Sequence, residues 1–549
     1  MLDLSKRLLS LAAGVALLIA GAALTGFPQT RPPAAKAPAR PKLVLLITID
    51  QFRADYLDRF RPYFVAGGFN RLMSGARFTQ CRYDYASTAT GPGHATLATG
   101  AYPDHHGIIG NAWYDRALKR PVNCVEDSNA RIVDSAEGSR DQRGASPHWL
   151  IGSTLTDELR IATNFKSKVV SIALKDRAAI LPGGHNANAA YWYDGKTGAF
   201  VSSTYYMPKL PAWVADFNAR TPAKDYCGKP WKALVKTPGA EGRILTEFRP
   251  AAGEGCPTPR FLDWLEYTPS MTEIELRFAR EAIRQEKLGQ GPGTDMLTLA
   301  LCANDFIGHK YGPYSPEVAD TTLRTDRELA GFLGDLDRMV GLNNVWIALA
   351  ADHGVAPTPQ YIRERNLGIG MFESKGVQDA VQSRLSKVFG EDKWIESYDT
   401  PYIYLNRDAI AKRQVSPDRA AEEAAQAAMG APGVFAAFTR SGLSTGNVAN
   451  SAIARKVLNS FNLRRGGDVF IVLEPYAVSS GSDTATNHGT PWNYDAHVPI
   501  ILWGSAFRPG EYAGPCQPVD LAVTLAAALG IEEPSGAVGT PLTPALIKR

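Results

Sequence analysis

The sequence predicts an α/β fold: a sandwich with a mostly parallel central sheet flanked by helices, elaborated by irregular cap insertions. Three observations predict it. Short apolar runs recur along the chain and alternate with segments of helical periodicity, the pattern of strands buried on both faces. Four of these runs end in charged or imidazole side chains, and open α/β sheets bind ligands outside the carboxyl ends of their strands. Two long blocks, 183–290 and 365–485, interrupt the alternation. A chain of 549 residues exceeds one simple core, which fits a large domain carrying insertions.

Taken in order, Lys6 and Arg7 precede an apolar run from Leu8 to Leu24 that ends in small residues. This is the layout of a cleaved signal peptide over 1–27, and it predicts export to the periplasm. A retained anchor is the alternative, because the run sits near the lower limit for crossing a bilayer, about 17 residues. Residues 28–41, "PQTRPPAAKAPARP", form a Pro/Ala-rich tether that cannot build a core. The rest, 42–549, reads as one domain. The net charge of +4 is nearly balanced and gives no reason to expect a nucleic-acid partner. A monomer without stable membrane association after signal cleavage is expected. None of the six cysteines forms a CxxC pair, so a thiolate zinc cluster is not suggested. In an oxidising compartment the even count favours disulfides, with Cys227 and Cys256 as the first candidate pair.

Five runs read as buried parallel strands: "KLVLLITID" (42–50), "KVVSIALKDR" (168–177), "DMLTLALCAND" (295–305), "NVWIALAADHG" (344–354) and "HVPIILWG" (497–504). Leu329, Phe332, Leu333, Leu336 and Val340 recur at helical spacing before the fourth run. Ser416 as N-cap, Pro417 and Gly430 bound a second helix, and "DLAVTLAAALG" forms a third. Block 183–290 is rich in Gly, Pro, Tyr and Trp and reads as irregular, while 365–485 is mixed in character.

The strand ends supply the chemistry. Asp50, Lys175, Arg177, Asp305, Asp352 and His353 all fall there. Asp305 and His309 are four apart, so a helical turn would put them on one face, and His488 lies in a glycine-punctuated loop before the last strand. Three carboxylates and three imidazoles make two three-ligand sites that suit Zn²⁺, with Mn²⁺ or Fe next. Two ions about 4 Å apart would clamp the attacking and leaving oxygens of an in-line displacement. Thr90, in "TATGPGHATLATG", sits where a helix N-cap belongs, with Pro92 tolerated in the first turn. There the helix dipole favours an alkoxide and a phosphate. Gly91 and Gly93 are expected to let the backbone approach a tetrahedral anion. No adjacent His-Asp arrangement is present to activate the hydroxyl, which leaves metal coordination to do so.

In this order, "TIDQFRADYL", "TATGPGHATLATGAYPDHHGIIGNAWYD", "LKDRAA", "NDFIGH", "ADHG" and "HGTPWNYDAHVPIILWG" resemble the alkaline phosphatase superfamily. They are similar to its single-chain periplasmic, phosphate-irrepressible branch with a threonine nucleophile. The resemblance runs from about residue 42 to the C-terminus. It implies an alkaline-phosphatase-like catalytic domain holding two Zn²⁺, one on Asp305, His309 and His488, the other on Asp50, Asp352, His353 and Thr90. It implies that Thr90 becomes a phosphothreonine, that Asn111 binds a phosphoryl oxygen, and that Lys175 and Arg177 contact the remaining oxygens. Two cations favour the dianionic phosphate of a small monoester. A nucleotide pyrophosphatase/phosphodiesterase sharing the metal site is the alternative, and a non-catalytic metal- and phosphoester-binding protein a remote one. A sulfatase needs Cys or Ser followed by Pro and Arg, which Thr90-Gly91-Pro92-Gly93 does not supply. His94, His105, His106 and His497 read as supporting or packing residues.

Overall fold

The computed structural model describes residues 40–134, 144–234, 243–479 and 484–547. The expected signal peptide and residues 28–39 of the tether lie outside the described residues. Ten strands make the central sheet: β1 (Leu43–Ile49), β2 (Ala76–Cys81), β3 (Ile132–Val133), β4 (Val169–Ala173), β5 (Ala189–Asp194), β6 (Ala199–Ser203), β7 (Asp295–Leu301), β8 (Val345–Ala350), β9 (Ile500–Trp503) and β10 (Gly510–Cys516). Their spatial order is β10-β2-β9-β8-β1-β7-β4-β5-β6-β3. The middle of the sheet, β8-β1-β7-β4-β5, is parallel throughout.

Parallel strands covered on both faces must be apolar on both, and β1, "LVLLITI", is buried at every position. Its Leu43, Leu45, Ile47 and Ile49 join one core with helices α3 (Ser270–Glu286) and α5 (Pro316–Met339). Val44 and Leu46 face the other core, against α6 (Asp520–Leu529). The period-2 alternation of side chains thus splits one strand between two hydrophobic layers. The periodic residues from Leu329 onward are the C-terminal half of α5, which Ser315 caps through the Val318 amide.

Three expectations are corrected. The run 497–504 is a strand, but β9 lies antiparallel between β8 and β2. An apolar run records burial on two faces and carries no sign of direction. Block 183–290 is irregular only in its middle. It opens with the hairpin β5–β6, which extends the central sheet and turns at Gly195–Gly198, and closes with α3. Its aromatic run Tyr191-Trp192-Tyr193 is buried in β5, with Tyr191 edge-on to Phe278 of α3. Block 365–485, read as mixed, contains the expected Ser416–Gly430 helix but is no irregular cap. Strands Ile395–Asp399, Tyr402–Leu405, Val469–Leu473 and Val434–Thr439 form an antiparallel sheet in that order. Helices Ser374–Phe389 and Pro417–Met429 share its separate core, through Val377, Val381, Leu385, Ala420 and Ala424. Ser416 holds the N-cap position of the latter without a capping hydrogen bond.

Cys227 and Cys256 are bridged, with Cα atoms 6.0 Å apart. Cys81 and Cys516, partners in the β2–β10 register, form a second disulfide. Cys124 and Cys302 are buried free thiols.

Candidate active site

The carboxyl ends of β1, β4, β7 and β8 meet at one edge. Asp50 follows β1 directly, Lys175 follows β4, Asp305 lies in the first turn of α4 (Ala303–Tyr311) after β7, and Asp352 and His353 follow β8. Lys175 Nζ stands 2.6 Å from Asp50 Oδ2, 2.5 Å from Asp305 Oδ2 and 3.5 Å from Thr90 Oγ1. His353 Nε2 is 3.4 Å from Thr90 Oγ1, from Asp50 Oδ1 and from Asp352 Oδ2. His309 and His488 present their Nε2 atoms to Asp305 Oδ1 at 3.3 and 3.9 Å. The structure therefore brings Thr90, Lys175 and all six expected carboxylate and imidazole ligands into one cluster, buried except at its partly exposed His309 and His488.

Thr90 opens α1 (Thr90–Thr99), but the N-cap is Ala89, one residue earlier than the sequence suggested. The two glycines are also required by the packing of the protein itself. A Cβ on Gly93 would fall 2.2 Å from the Asp352 carbonyl oxygen, and one on Gly91 would meet Cys124 Sγ, Gly110 O and Asn111 Oδ1 at 3.1–3.2 Å. They let α1 press against Asp352 on one side and the Asn111 loop on the other. The Gly91 amide donates to Asn111 Oδ1 at 2.7 Å.

The donor set fits a metal. His309, His353 and His488 each place Nδ1 on a backbone carbonyl, of Thr486, Gly354 and Thr88, at 2.8–2.9 Å. That hydrogen bond fixes the tautomer and leaves Nε2 bearing the lone pair, the arrangement typical of metal-ligating histidines. Asp50 Oδ1 and Asp352 Oδ2 are buried with no hydrogen-bond partner. Burial and the Asp50 charge push the Asp352 carboxyl well above the usual range, a cost that a bound cation reverses. Burial opposes ionisation of Asp305 too, yet Lys175 and His309 hold it well below that range. Burial pulls His353 and His488 down, keeping their rings neutral and able to ligate. The groups Asp305–His309–His488, Asp50–Asp305–His353 and Asp50–His94–Asp352 each bring ligand atoms within 4.8 Å of one another.

Arg177, in the first turn of α2 (Asp176–Gly183), pairs only loosely with Asp176, at 3.6 Å, and its Nε is buried without a partner. Two more residues stand inside the cluster: Gln51, to which the sequence gave no role, and His94, which it read only as supporting or packing. Gln51 donates from Nε2 to Asp305 Oδ1 at 2.7 Å and from its amide to Asp352 Oδ1 at 3.0 Å, with a left-handed φ of 63°. His94, one turn after Thr90, is fully buried, and its Nε2 lies 3.5 Å from Asp352 Oδ2. The spacing of Thr90 and His94 was a signal for the second, while nothing in the sequence marks the first. His106 bonds Thr96 and the Ile108 amide, His105 pairs with Asp104, and His497 bonds the Thr79 carbonyl, all outside the ligand cluster.

The family model for type I phosphodiesterase / nucleotide pyrophosphatase matches residues 44–495. The chain belongs to this family. Within it, the chain is 35% identical over 524 residues to alkaline phosphatase PafA of Elizabethkingia meningoseptica, covering 92% of this chain and 94% of that one. It is 37% identical over 535 residues to alkaline phosphatase PhoV of Synechococcus elongatus, covering 94% of each. The crystal structure of wild-type PafA superposes with a TM-score of 0.85 at 33% identity, covering 93% of this chain and 99% of that chain. A murine ectonucleotide pyrophosphatase/phosphodiesterase shares the fold alone, at 16% identity and a TM-score of 0.51. The fold is that of PafA, and the protein is an enzyme of the alkaline phosphatase superfamily acting on phosphoesters. No helix among the described residues is long and apolar enough to cross a membrane.

Proposed function

We propose that this enzyme is an exported, zinc-dependent phosphate monoester hydrolase, an alkaline phosphatase that works through a covalent phosphothreonine on Thr90. Asp305, His309 and His488 would hold one Zn²⁺, and Asp50, Asp352 and His353 with Thr90 the other. When bound, the ions supply Lewis acidity that lowers the hydroxyl pKa and neutralises charge developing on the leaving oxygen. The observation that carries the reading is the convergence on Thr90: Lys175 Nζ at 3.5 Å and His353 Nε2 at 3.4 Å, at a helix N-terminus.

Thr90 Oγ1 attacks phosphorus in line; the Oγ1–P bond forms as the ester P–O bond breaks, and the alcohol leaves with a proton. Water then attacks phosphorus, the Oγ1–P bond breaks, and inorganic phosphate departs. Asn111 Oδ1 is held by the Gly91 amide, so its Nδ2 is the end left to donate to a phosphoryl oxygen. Lys175 and the unpartnered Arg177 Nε supply positive charge and donors for the two other oxygens of a dianion. The dipole of α1 favours the phosphorylated state of Thr90. A PafA variant with a threonine, an asparagine, a lysine and an arginine substituted, in that chain order, has been crystallised and superposes with a TM-score of 0.83. The same four residue types occur here, in the same order, as Thr90, Asn111, Lys175 and Arg177, which supports the assignment.

The description of the family favours a second reading, a diesterase. Steady-state kcat/KM for p-nitrophenyl phosphate against bis-p-nitrophenyl phosphate separates the two, with Thr90→Ala as control. A large monoester preference that vanishes in Thr90→Ala is expected. A diester preference overturns the monoesterase assignment.

A further inference from the structure

Beside Asn111 and His488 the enzyme opens into a cavity of about 250 Å³. Its far wall comes from the second sheet: Asp399, Thr400, Pro401 and Tyr402 at the turn between strands Ile395–Asp399 and Tyr402–Leu405, with Tyr404 behind. An adjoining cavity of about 320 Å³ shares Asp399, Thr400, Asn487 and His488 and extends to Gln378, Tyr398 and Tyr494. Ala89, Asn111 and His488 line the first cavity, which places this space beside Thr90 and open to the alcohol portion of an ester held there.

The charge of the lining is distinctive. Neither cavity has a lysine or arginine among its lining residues, and Asp399 is the one carboxylate in both. Asp399 is exposed, and its carboxylate makes no hydrogen bond or ion pair among the described residues. Although its surface is open to solvent, desolvation by the surrounding atoms raises its pKa, and no cation acts against that rise. Nearby guanidinium groups are engaged elsewhere. Arg116 pairs with Asp468 at 2.8 Å and lies over the Tyr404 ring, while Arg465 lies over the Trp113 and Trp149 rings. Aromatic walls with a single unpaired carboxylate suit a cationic or hydroxyl-bearing group, and they disfavour a second anion.

We propose that this cavity is the leaving-group subsite and that Asp399 sets its charge preference: aminoalkyl phosphates first, neutral polyol phosphates next, and phosphates whose alcohol portion carries a further carboxylate or phosphate last. The proposal rests on the monoesterase reading of the same site. The preference comes from a residue of the second sheet, so that block selects the substrate and the central sheet carries out the reaction.

The test is kcat/KM at pH 8 and fixed ionic strength for O-phosphoethanolamine, glycerol 1-phosphate and 3-phosphoglycerate, each divided by the value for p-nitrophenyl phosphate. Wild type, Asp399→Asn and Asp399→Lys are compared. Wild type is expected to follow cation over neutral over anion. Asp399→Asn should compress the cation-to-anion ratio by about threefold to tenfold, the scale of one partly solvated charge, and Asp399→Lys should invert it. Raising the salt should shrink the wild-type ratio. A ratio unchanged in both variants overturns the subsite. Failure of wild type to hydrolyse p-nitrophenyl phosphate instead overturns the monoesterase reading beneath it.

Discussion

Gln51 offers a sharp test of how the cluster is held together. It is fully buried, its amide side chain spans to Asp305, and its backbone N–H reaches Asp352, so one residue ties together acids from two strand ends. It does so at φ 63°, a left-handed conformation costing a residue with a Cβ about 1–2 kcal/mol. Gln51→Ala removes a hydrogen bond to a charged acceptor, worth about 1.5–3 kcal/mol, and keeps the strain. Gln51→Gly loses the same bond but relieves the strain, offset by about 0.5–1 kcal/mol of extra chain entropy. Gly should therefore be more stable than Ala by about 0.5–1 kcal/mol, although both fall below wild type. Because the lost side-chain bond orients Asp305, an expected ligand with His309 and His488, both variants should also bind zinc about 10–100-fold more weakly. Thermal unfolding in EDTA orders the stabilities, and competition with a chromophoric chelator measures the affinities. If Gly unfolds below Ala, or zinc affinity stays within about twofold of wild type, the account of Gln51 is wrong.

Replacing Lys175 and Arg177 together with alanine should lower kcat/KM for p-nitrophenyl phosphate by at least about 10²–10³-fold. The same change should cost bis-p-nitrophenyl phosphate hydrolysis under about tenfold, since a diester offers one charged oxygen fewer. His94→Ala should weaken zinc binding by about 10–100-fold through loss of the contact to Asp352, read by the same chelator competition; unchanged affinity would make His94 mere packing. Burial raises the Asp495 carboxyl to about 7, so the folded enzyme keeps a proton that the unfolded chain releases near pH 4. That contribution is complete below about pH 4 and is lost as pH rises through 7. Asp495→Asn removes this titration, and its Tm advantage over wild type should widen from pH 5 to pH 8.

What could be read from the sequence was whatever one element encodes locally. Asp305 and His309 share a helix face by their spacing alone, and the strand-end acids follow from where α/β sheets bind ligands. The buried strands of the central sheet were visible as apolar runs, but the direction of β9 was not, because hydrophobicity is the same read either way. Block 183–290 read as irregular because its aromatic hairpin carries no clear period, while in 365–485 the Ala-rich helix Pro417–Met429 was legible from its caps but the antiparallel sheet it packs on was not. Gln51 was invisible: a glutamine after a strand acquires its role only when β7 and β8 flank β1 and bring Asp305 and Asp352 to it.

The one-residue offset at Thr90 has a chemical logic. A threonine at the N-cap commits its side-chain oxygen to a backbone amide of the first turn. Ala89 takes that position, the first turn has no side-chain cap, and the Thr90 hydroxyl, uncommitted to the helix backbone, faces Lys175 and His353 at the positive end of the helix dipole. The rest of "TGPGH" then locates that hydroxyl. The Gly91 amide fixes Asn111 on one side, and Gly93 admits the Asp352 backbone on the other. His94, one turn or about 6 Å further along, reaches the Asp352 carboxylate. Thr90, Asn111 and Asp352, the proposed nucleophile, phosphoryl-oxygen contact and metal-ligand acid, are thereby referenced to a single rigid helix. Their relative positions depend on the rise of one turn, which is stiffer than any loop connecting them through the sheet.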